Sequence, residues 1–296
     1  MVTIKEMAQE LGVSTTTVSN VIHGKTKEVS PANIERIQKI FKKYDYTPNI
    51  NARNLASKRS KIIGFLIKSK QNKGANRFED PFIGGILGVI ERHVRQKGYY
   101  LMVYAVDDVH QVQQFTMSWN MDGLITSGFV EGDIRYLKER FKNPIAIIDD
   151  YDTNGLGNCA NIRIEDEQAE YLLTKYVISC GHRKLAFLAD NLVNLDKIRF
   201  QGFCRALKEA NIPVSREENF IQIYASDAGE PQNMDEIYEK SFSYTALLCA
   251  SDYYAVHIEN MLLDRERKIP EEISIAGFDD VPISRMVRPA LTTVRQ

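Results

Sequence analysis

Apolar residues recur every three or four positions in three short segments of the first 45 residues, which predicts three helices. Thr3 and Glu6 form a capping box at the start of the first segment, and Gly12 is placed to end it in a left-handed conformation. Ser14 can cap the second helix, and Ser30–Pro31 has the preferred order for the start of the third. Two short helices joined by a tight turn at glycine and braced by a third are typical of a helix-turn-helix.

The second predicted helix exposes a face of short hydrogen-bonding side chains in the run Ser14–Asn20. Its three consecutive threonines lower helix propensity, a cost that an ordinary solvated face does not require. One interpretation is a small three-helix bundle that binds nothing. The polar face, together with the charge of this segment, favours a second interpretation, which is DNA binding.

Charge separates this first segment from the rest of the chain. The whole protein is close to neutral, with 38 Lys and Arg residues against 39 Asp and Glu residues. Residues 1–61 contain eleven basic and five acidic side chains, a net charge of +6, and the remainder carries −7. A basic N-terminal segment on an acidic body predicts a polyanionic partner for that segment alone.

From Ile62 onward, short apolar runs alternate with amphipathic segments. This alternation predicts an α/β fold in which doubly wound parallel sheets are covered by helices on both faces. The predicted strands are Ile62–Ile67, Tyr99–Tyr104, Gly123–Thr126, Ile145–Asp149, Asn161–Ile164, Lys184–Leu188, Phe220–Ile223, Ala246–Cys249 and Ile273–Phe278. The clearest predicted helices are Phe82–Lys97, Asp166–Ser179, Arg199–Ala210 and Tyr253–Arg265. So many strands exceed one small sheet, which predicts two lobes.

The pattern predicts three parts: a helix-turn-helix headpiece at 1–45, a linker at 46–60 and a core at 61–296. The turn-rich stretch Thr153–Gly157 places the boundary between the two lobes of the core near 155–160. In the linker, Pro48 stops the preceding helix and Asn49 can cap one or two further turns. Such a short helix is unstable alone in water, so the linker is either a tether or an element that folds on a partner.

Open α/β sheets bind ligands beyond the carboxyl ends of their strands. That rule selects Asp149, Ser251 and Asp279, each of which follows a predicted strand, and the corner from Asp80 to Phe82. Isolated carboxylates at such positions also serve as helix caps. For Asp80, cap and ligand-binding interpretations are equally consistent with the pattern.

Other chemistry has little support in the sequence. The pattern G-x-G-x-x-A at Gly155–Ala160 resembles a dinucleotide-binding motif, but a strand rather than a helix follows it. The five histidines and four cysteines have no metal-ligand spacing, and no nucleophile elbow or phosphate-binding loop occurs. We therefore expect no enzyme, no metal and no cofactor. No apolar run is long enough to span a membrane and no secretory signal begins the chain, so we expect a cytoplasmic protein.

Several motifs closely resemble the lactose-repressor/galactose-repressor (LacI/GalR) family of bacterial transcription regulators. The first is V-T-I-K-E-M-A-x-x-x-G-V-S-x-x-T-V-S at residues 2–19, and the second is Y-x-P-N-x-x-A-R-x-L at residues 46–55. The likeness continues through Gly181–Lys184, Arg199–Phe203, Ile273–Asp280 and Pro289–Val294. These motifs span the whole chain and occur in the family's order.

The resemblance implies that the second helix enters the major groove of DNA. Thr15, Thr16 and Asn20 match the family's base-reading positions, and Ser14, Thr17 and Ser19 match positions that contact phosphate. Many members have arginine, which pairs with guanine, where this chain has Asn20. Because asparagine suits the N6/N7 edge of adenine, operator preference is expected to differ here.

The linker resembles the family's hinge helix, which forms in dimers on DNA. Leu55 matches the residue that wedges into a central base step and bends the duplex, beside Ala52 and Ala56. Asn49 and Arg53 match the polar contacts of the hinge. The resemblance therefore implies a homodimer on a pseudo-palindromic, double-stranded operator.

In the core, the resemblance implies two similar lobes that clamp a small-molecule effector, as in type I periplasmic sugar-binding proteins. Arg199 and Asp279 match effector-contacting positions, and Asp149, Phe82 and Gln296 align with others. An arginine and an aspartate together suit adjacent hydroxyl groups, so a carbohydrate effector is expected.

The chain departs from the family in places that touch this expected pocket. Ser251 and Asp80 stand where many relatives have asparagine, and Ser69–Glu79 is longer than usual. The sequence also stops at Gln296, whereas relatives continue for a few dozen residues, so the chain looks truncated. The expected function is a DNA-binding transcription regulator, and the resemblance to the family implies a repressor. The alternative is a metabolite- or sugar-binding protein without a DNA function.

Overall fold

The computed structural model describes residues 2–22, 24–46, 59–68, 78, 80–149, 157, 159–224 and 231–296. The chain divides into two compact units, Met1–Lys61 and Ile62–Gln296. The predicted linker falls in the first unit, and most of its residues lie outside the described part of the chain. Each unit is built around its own apolar core.

The first unit contains three helices, α1 (Ile4–Leu11), α2 (Thr15–Ile22) and α3 (Pro31–Lys43), with a 3-10 turn at Thr26–Glu28. The capping box is confirmed: the Glu6 amide donates to the Thr3 hydroxyl at 3.3 Å, and the Thr3 amide donates to the Glu6 carboxylate at 2.8 Å. Gly12 ends α1 with a φ of +66°, and the Ser30 hydroxyl caps α3. The predicted helix-turn-helix is therefore present.

One small apolar core holds the three helices together. Ala8 on α1, Val18 on α2 and Ile37 on α3 are all buried and form its centre. A small residue at position 8 allows α1 and α2 to approach closely, so one face of α2 points inward and the opposite face remains outside.

The second unit contains two parallel five-stranded sheets, which confirms the predicted α/β class. The first sheet has the order β2-β1-β3-β4-β5 and the second the order β10-β9-β8-β6-β7. In the first lobe, the elements are β1 (Ile62–Lys68), α4 (Pro81–Gln96), β2 (Tyr100–Val106), α5 (Val109–Trp119), β3 (Gly123–Ser127), α6 (Glu131–Arg140), β4 (Ile145–Ile148) and β5 (Cys159–Ile162).

The second lobe begins with a helix that packs against the second sheet. Its elements are α7 (Asp166–Ser179), β6 (Leu185–Ala189), α8 (Asn194–Glu209), α9 (Arg216–Asn219), β7 (Phe220–Gln222), α10 (Met234–Ser241), β8 (Ala246–Cys249), α11 (Asp252–Asp264), β9 (Ser274–Asp279) and β10 (Thr292–Arg295), with a 3-10 turn at Pro282–Arg285.

Alternating side chains of the central strands enter separate cores on the two faces of each sheet. In β1, Leu66 lies in one apolar cluster, whereas Phe65 and Ile67 lie in another. In β8, Leu247 and Leu248 are divided between two clusters in the same way. This burial on both faces explains why the strands are nearly continuous apolar runs.

Apart from shifts of one or two residues at strand ends, the structure differs from the predicted elements in three respects. The chain passes from the first sheet to the second at residues 163–165, after β5, which lies a few residues beyond the predicted boundary. Helix α8 begins at Asn194 rather than Arg199, because its first turn is polar. The strand β10 was not predicted: it is short and half-exposed at the sheet edge, so it lacks a continuous apolar run.

Gly202 permits the close packing of α7 against α8. A β-carbon at this position would lie 2.1 Å from the backbone carbonyl oxygen of Glu167. We expect Gly202→Ala to lower the free energy of unfolding of the core by about 1–3 kcal/mol, because the two helices must separate. Urea unfolding followed by the fluorescence of Trp119, the chain's single tryptophan, measures this change.

Gly132→Ala is the matched control, since a β-carbon at Gly132 on α6 meets no atom within 4 Å. This replacement should change stability by less than about 1 kcal/mol, and in the stabilising direction. Equal effects of the two alanine variants would contradict the close-packing argument.

Candidate nucleic-acid interface and ligand site

The six headpiece residues predicted to contact DNA lie on α2 or at its first turn. Thr15 and Thr16 are exposed, whereas Val18 on the same helix is fully buried in the headpiece core. Thr16 and Asn20 are four residues apart and therefore lie on one face of the helix. This arrangement leaves the predicted base-reading side chains accessible to a partner.

The start of α2 is fixed by local hydrogen bonds. The Ser14 hydroxyl accepts from the Thr17 amide at 3.0 Å, and the hydroxyl groups of Ser14 and Thr17 lie 2.8 Å apart. Ser19 is half-buried on the next turn. The positive end of a helix dipole and exposed hydroxyl groups suit a phosphate contact.

Asn20 is half-exposed, and its side-chain amide nitrogen donates to a carboxylate oxygen of Glu28 at 3.1 Å. Glu28 lies on the turn that follows α2, between the exposed Lys27 and the buried Val29. Sequence reasoning missed Glu28, because an exposed acid in a turn has no distinctive pattern.

The five linker residues predicted to contact DNA lie outside the described residues. They are Asn49, Ala52, Arg53, Leu55 and Ala56. Their roles remain predictions from the resemblance.

The centre of the second candidate site is the buried guanidinium of Arg199 on α8. Its Nε donates to the Asp166 carboxylate at 2.9 Å, and Nη1 donates to the Ala250 carbonyl at 2.5 Å. Nη1 also lies 3.6 Å from a carboxylate oxygen of Asp279, and the guanidinium lies 3.6 Å from the centre of the Phe278 ring. One arginine thus joins the start of α7 to the carboxyl ends of β8 and β9.

Asp279 ends β9 beside this guanidinium. Its φ is +115°, a strained conformation for an aspartate, and such strain is frequent at functional sites. Burial raises the pKa of Asp279 to about 7, opposed by Arg199. The side chain of Gln296 donates to the Asp279 carboxylate at 2.5 Å, so these two predicted residues are in contact.

The first lobe contributes Asp149, which follows β4 and has a φ of +58°. Burial, reinforced by the negative charge of Asp166, raises the pKa of Asp149 to about 6, and Arg199 opposes this rise. The carboxylates of Asp149, Asp166 and Asp279 come from different elements, and all three lie in the electrostatic field of the buried Arg199 guanidinium. The structure thus places Asp149 and Asp279, both selected by the strand-end rule, near the same guanidinium.

Three other predicted ligand residues have structural partners of their own. The Asp80 carboxylate caps α4 by accepting from the Phe82 amide at 2.9 Å, and it still adds to the negative field at Asp279. Phe82 packs on the apolar cluster around Phe65. The Ser251 hydroxyl caps α11 by accepting from the Tyr254 amide at 3.4 Å.

Sequence reasoning missed Asp166 and Phe278 as partners of Arg199, and it missed the fully buried Glu170 one turn after Asp166. Burial raises the pKa of Glu170 to about 8, and its Oε2 has no hydrogen-bond partner among the residues that the structure describes. The spacing of Asp166 and Glu170, four residues apart on one helix, could have indicated a shared polar face.

Comparison with known proteins decides the family. The family model for bacterial regulatory proteins of the lacI family matches residues 3–49, and that for the periplasmic binding protein-like domain matches residues 174–296. The HTH-type transcriptional repressor PurR of Vibrio atlanticus is 30% identical over the whole chain and 87% of its own length. The chain belongs to the lacI family of bacterial regulatory proteins. It is accordingly a DNA-binding transcription regulator with a small-molecule effector domain.

A second curated relative agrees with this assignment, and two solved structures share the fold. The ribose operon repressor of Haemophilus influenzae is 29% identical over the whole chain and 87% of its own length. The lac repressor dimer bound to operator has a similar fold, with a TM-score of 0.83 and 24% identity, over all of this chain and 87% of that chain. A LacI family regulator from Enterococcus faecium with bound ribose gives a TM-score of 0.67 at 22% identity, over 79% of this chain and 84% of its own.

The curated relatives named above are transcriptional repressors. Within the described ranges, no group of histidine, cysteine and acidic side chains could hold a metal ion, and no helix is both long and apolar enough to cross a bilayer.

The raised pKa of Asp279 predicts a pH dependence of core stability. Between its ordinary value of 3.8 and about 7, Asp279 holds a proton when folded that the unfolded chain releases. Its contribution therefore falls as the pH rises through this window. We expect Asp279→Asn to lose less stability than the wild type between pH 5 and pH 7.5, in urea unfolding followed by Trp119 fluorescence.

Asp280→Asn is the neighbouring control. Hydrogen bonds from Arg285 and Arg295 lower the pKa of Asp280 to about 2, so Asp280 is ionised in both states throughout the tested range. Its replacement should shift stability equally at pH 5 and pH 7.5. A pH dependence unchanged by Asp279→Asn would contradict the burial of that carboxyl group.

Proposed function

We propose that this chain represses transcription by binding a pseudo-palindromic operator as a homodimer, under the control of a sugar-like effector held between the two lobes. The observation that carries the proposal is the exposed polar face of α2, with Thr16 and Asn20 in line and accessible. It lies on a unit with a net charge of +6. The polar side chains of α2 can therefore read bases, and the positive charge of the unit attracts phosphate.

The relatives support the finer parts of this proposal. Two of them are a PurR repressor and a ribose operon repressor, and a lac repressor neighbour is a dimer bound to operator. Two copies related by a twofold axis would present two α2 helices to a symmetrical site.

A polyhydroxylated effector fits the chemistry around Arg199. Asp149 and Asp279 offer carboxylate acceptors from the two lobes, and ligand hydroxyl groups are donors that match them. One structural neighbour has bound ribose, and another, the transcriptional regulator CelR, is in complex with cellobiose. We therefore propose a sugar or sugar derivative, whose contacts with both lobes would alter their relative position and so the affinity for operator.

The first test is DNA binding by the full chain. Selection from a random duplex library, followed by mobility shifts at increasing salt, should yield a preferred sequence whose affinity falls steeply with salt concentration. Asn20→Ala should cost roughly 1–3 kcal/mol on that sequence and relax the preference at one base pair in each half-site.

Arg216→Ala is the control, since this exposed cation of α9 lies in the other compact unit. It should leave both the selected sequence and the affinity unchanged. A pure metabolite-binding protein, the alternative function, would show no salt-sensitive duplex binding in any variant.

The second test concerns the effector. Thermal unfolding of the full chain should be screened against pentoses, hexoses, disaccharides and sugar phosphates. A ligand at about 100 times its dissociation constant should stabilise the folded protein by about 2.7 kcal/mol. Asp279→Asn should lose this stabilisation, whereas Asp280→Asn should retain it. Equal stabilisation of both variants would remove Asp279 from the effector site.

A further inference from the structure

The contact between Asn20 and Glu28 brings an acid to the reading face of a basic unit. The Asn20 side chain donates one N–H to Glu28 at 3.1 Å, and both residues are accessible to solvent. An exposed carboxylate beside a DNA-binding helix opposes phosphate attraction. Its presence therefore calls for a role other than affinity.

The backbone after α2 delivers Glu28 to this position. Gly24 has a φ of +68°, which reverses the chain, and the Lys25 amide donates to the Asn20 carbonyl at 2.8 Å. The 3-10 turn Thr26–Glu28 follows, and the burial of Val29 anchors its end. Because the chain is fixed on both sides, the turn holds Glu28 alongside the last turns of α2.

A carboxylate can only accept hydrogen bonds, and this fixes the orientation of the amide. Asn20 must turn its nitrogen toward Glu28, since the reversed amide would place two oxygen acceptors against each other. One N–H and the carbonyl oxygen of the amide remain for another partner. Adenine needs this combination, a donor for N7 and an acceptor for the N6 amino group, whereas guanine needs donors for both N7 and O6.

We propose that Glu28 is a specificity-determining residue: it holds the Asn20 amide in the orientation that reads adenine, and it disfavours guanine at the same base pair. The inference rests on the proposed DNA-binding function and adds to it a residue that positions a base-reading group.

The decisive variant is Glu28→Gln. Glutamine keeps the shape of the side chain and can still hydrogen-bond to Asn20, but it both donates and accepts, so both orientations of the Asn20 amide become possible. The full chain and this variant should each be selected against a random duplex library at one salt concentration. We expect the ratio of adenine to guanine at one half-site position to fall about two- to tenfold, the range of a lost hydrogen bond.

Glu35→Gln is the matched charge control. Glu35 is an exposed acid of the same unit that pairs with Lys39 on α3, at 2.8 Å. Both glutamine variants remove one negative charge, so both should bind non-specific duplex somewhat more tightly. Only Glu28→Gln should change the base preference. If the two variants give the same sequence preference, the inference is overturned.

A second selection in the Asn20→Ala background separates positioning from direct contact. If Glu28 acts through Asn20, adding Glu28→Gln to Asn20→Ala should leave the base preference as it is in Asn20→Ala alone. A further change in preference would mean that Glu28 contacts a base directly, which overturns the positioning role. Failure of the wild-type chain to select any sequence would instead refute the proposed function itself.

Discussion

The arrangement of the ligand site depends on the hydrogen bonds and ion pairs of one buried group, the guanidinium of Arg199. It joins α7, β8 and β9 through Asp166, the Ala250 carbonyl and Asp279. A buried arginine is stable only when its donors are satisfied, and the loss of one partner from such a network typically costs about 3–5 kcal/mol. The carboxyl ends of the second sheet are consequently held in one fixed geometry, which is the condition for a selective site.

The carboxylates around Arg199 outnumber this cation, and burial makes their ionisation costly. The pKa values of Asp149, Glu170 and Asp279 are all raised, and desolvation is the largest cause in each case. Hydrogen-bond donors from a bound ligand would stabilise the charged form of such desolvated carboxylates. These groups are therefore suited to the hydroxyl groups of the proposed effector.

In the headpiece, different residues provide the general affinity for DNA and the selectivity among bases. Its net charge of +6 attracts any duplex, whereas the exposed residues of α2 have no charge. Glu28 even subtracts from the attraction, and its contact with Asn20 restricts what that side chain can recognise. Specific recognition depends on the difference in binding free energy between the right and the wrong base pair, even where the total affinity is lower.

The sequence by itself determined the elements whose signals are local. The capping box at Thr3 and Glu6, the positive φ of Gly12 and the apolar strands depend on neighbouring residues, and the structure confirms them. The strand-end rule also selected Asp149 and Asp279, which both lie in the electrostatic field of Arg199, because parallel strands bring their carboxyl ends to one edge. The polar first turn of α8 and the half-exposed strand β10 lacked such signals and were missed.

Only the tertiary structure decided which side chains meet. Arg199 lies 33 residues from Asp166 and 51 from Ala250 in the chain, and no periodic pattern connects positions so far apart. Glu28 reaches Asn20 through a turn whose path depends on the burial of Val29. Local propensity acts over a few residues, whereas these contacts follow from the packing of whole helices and sheets, and packing is set by the complete core.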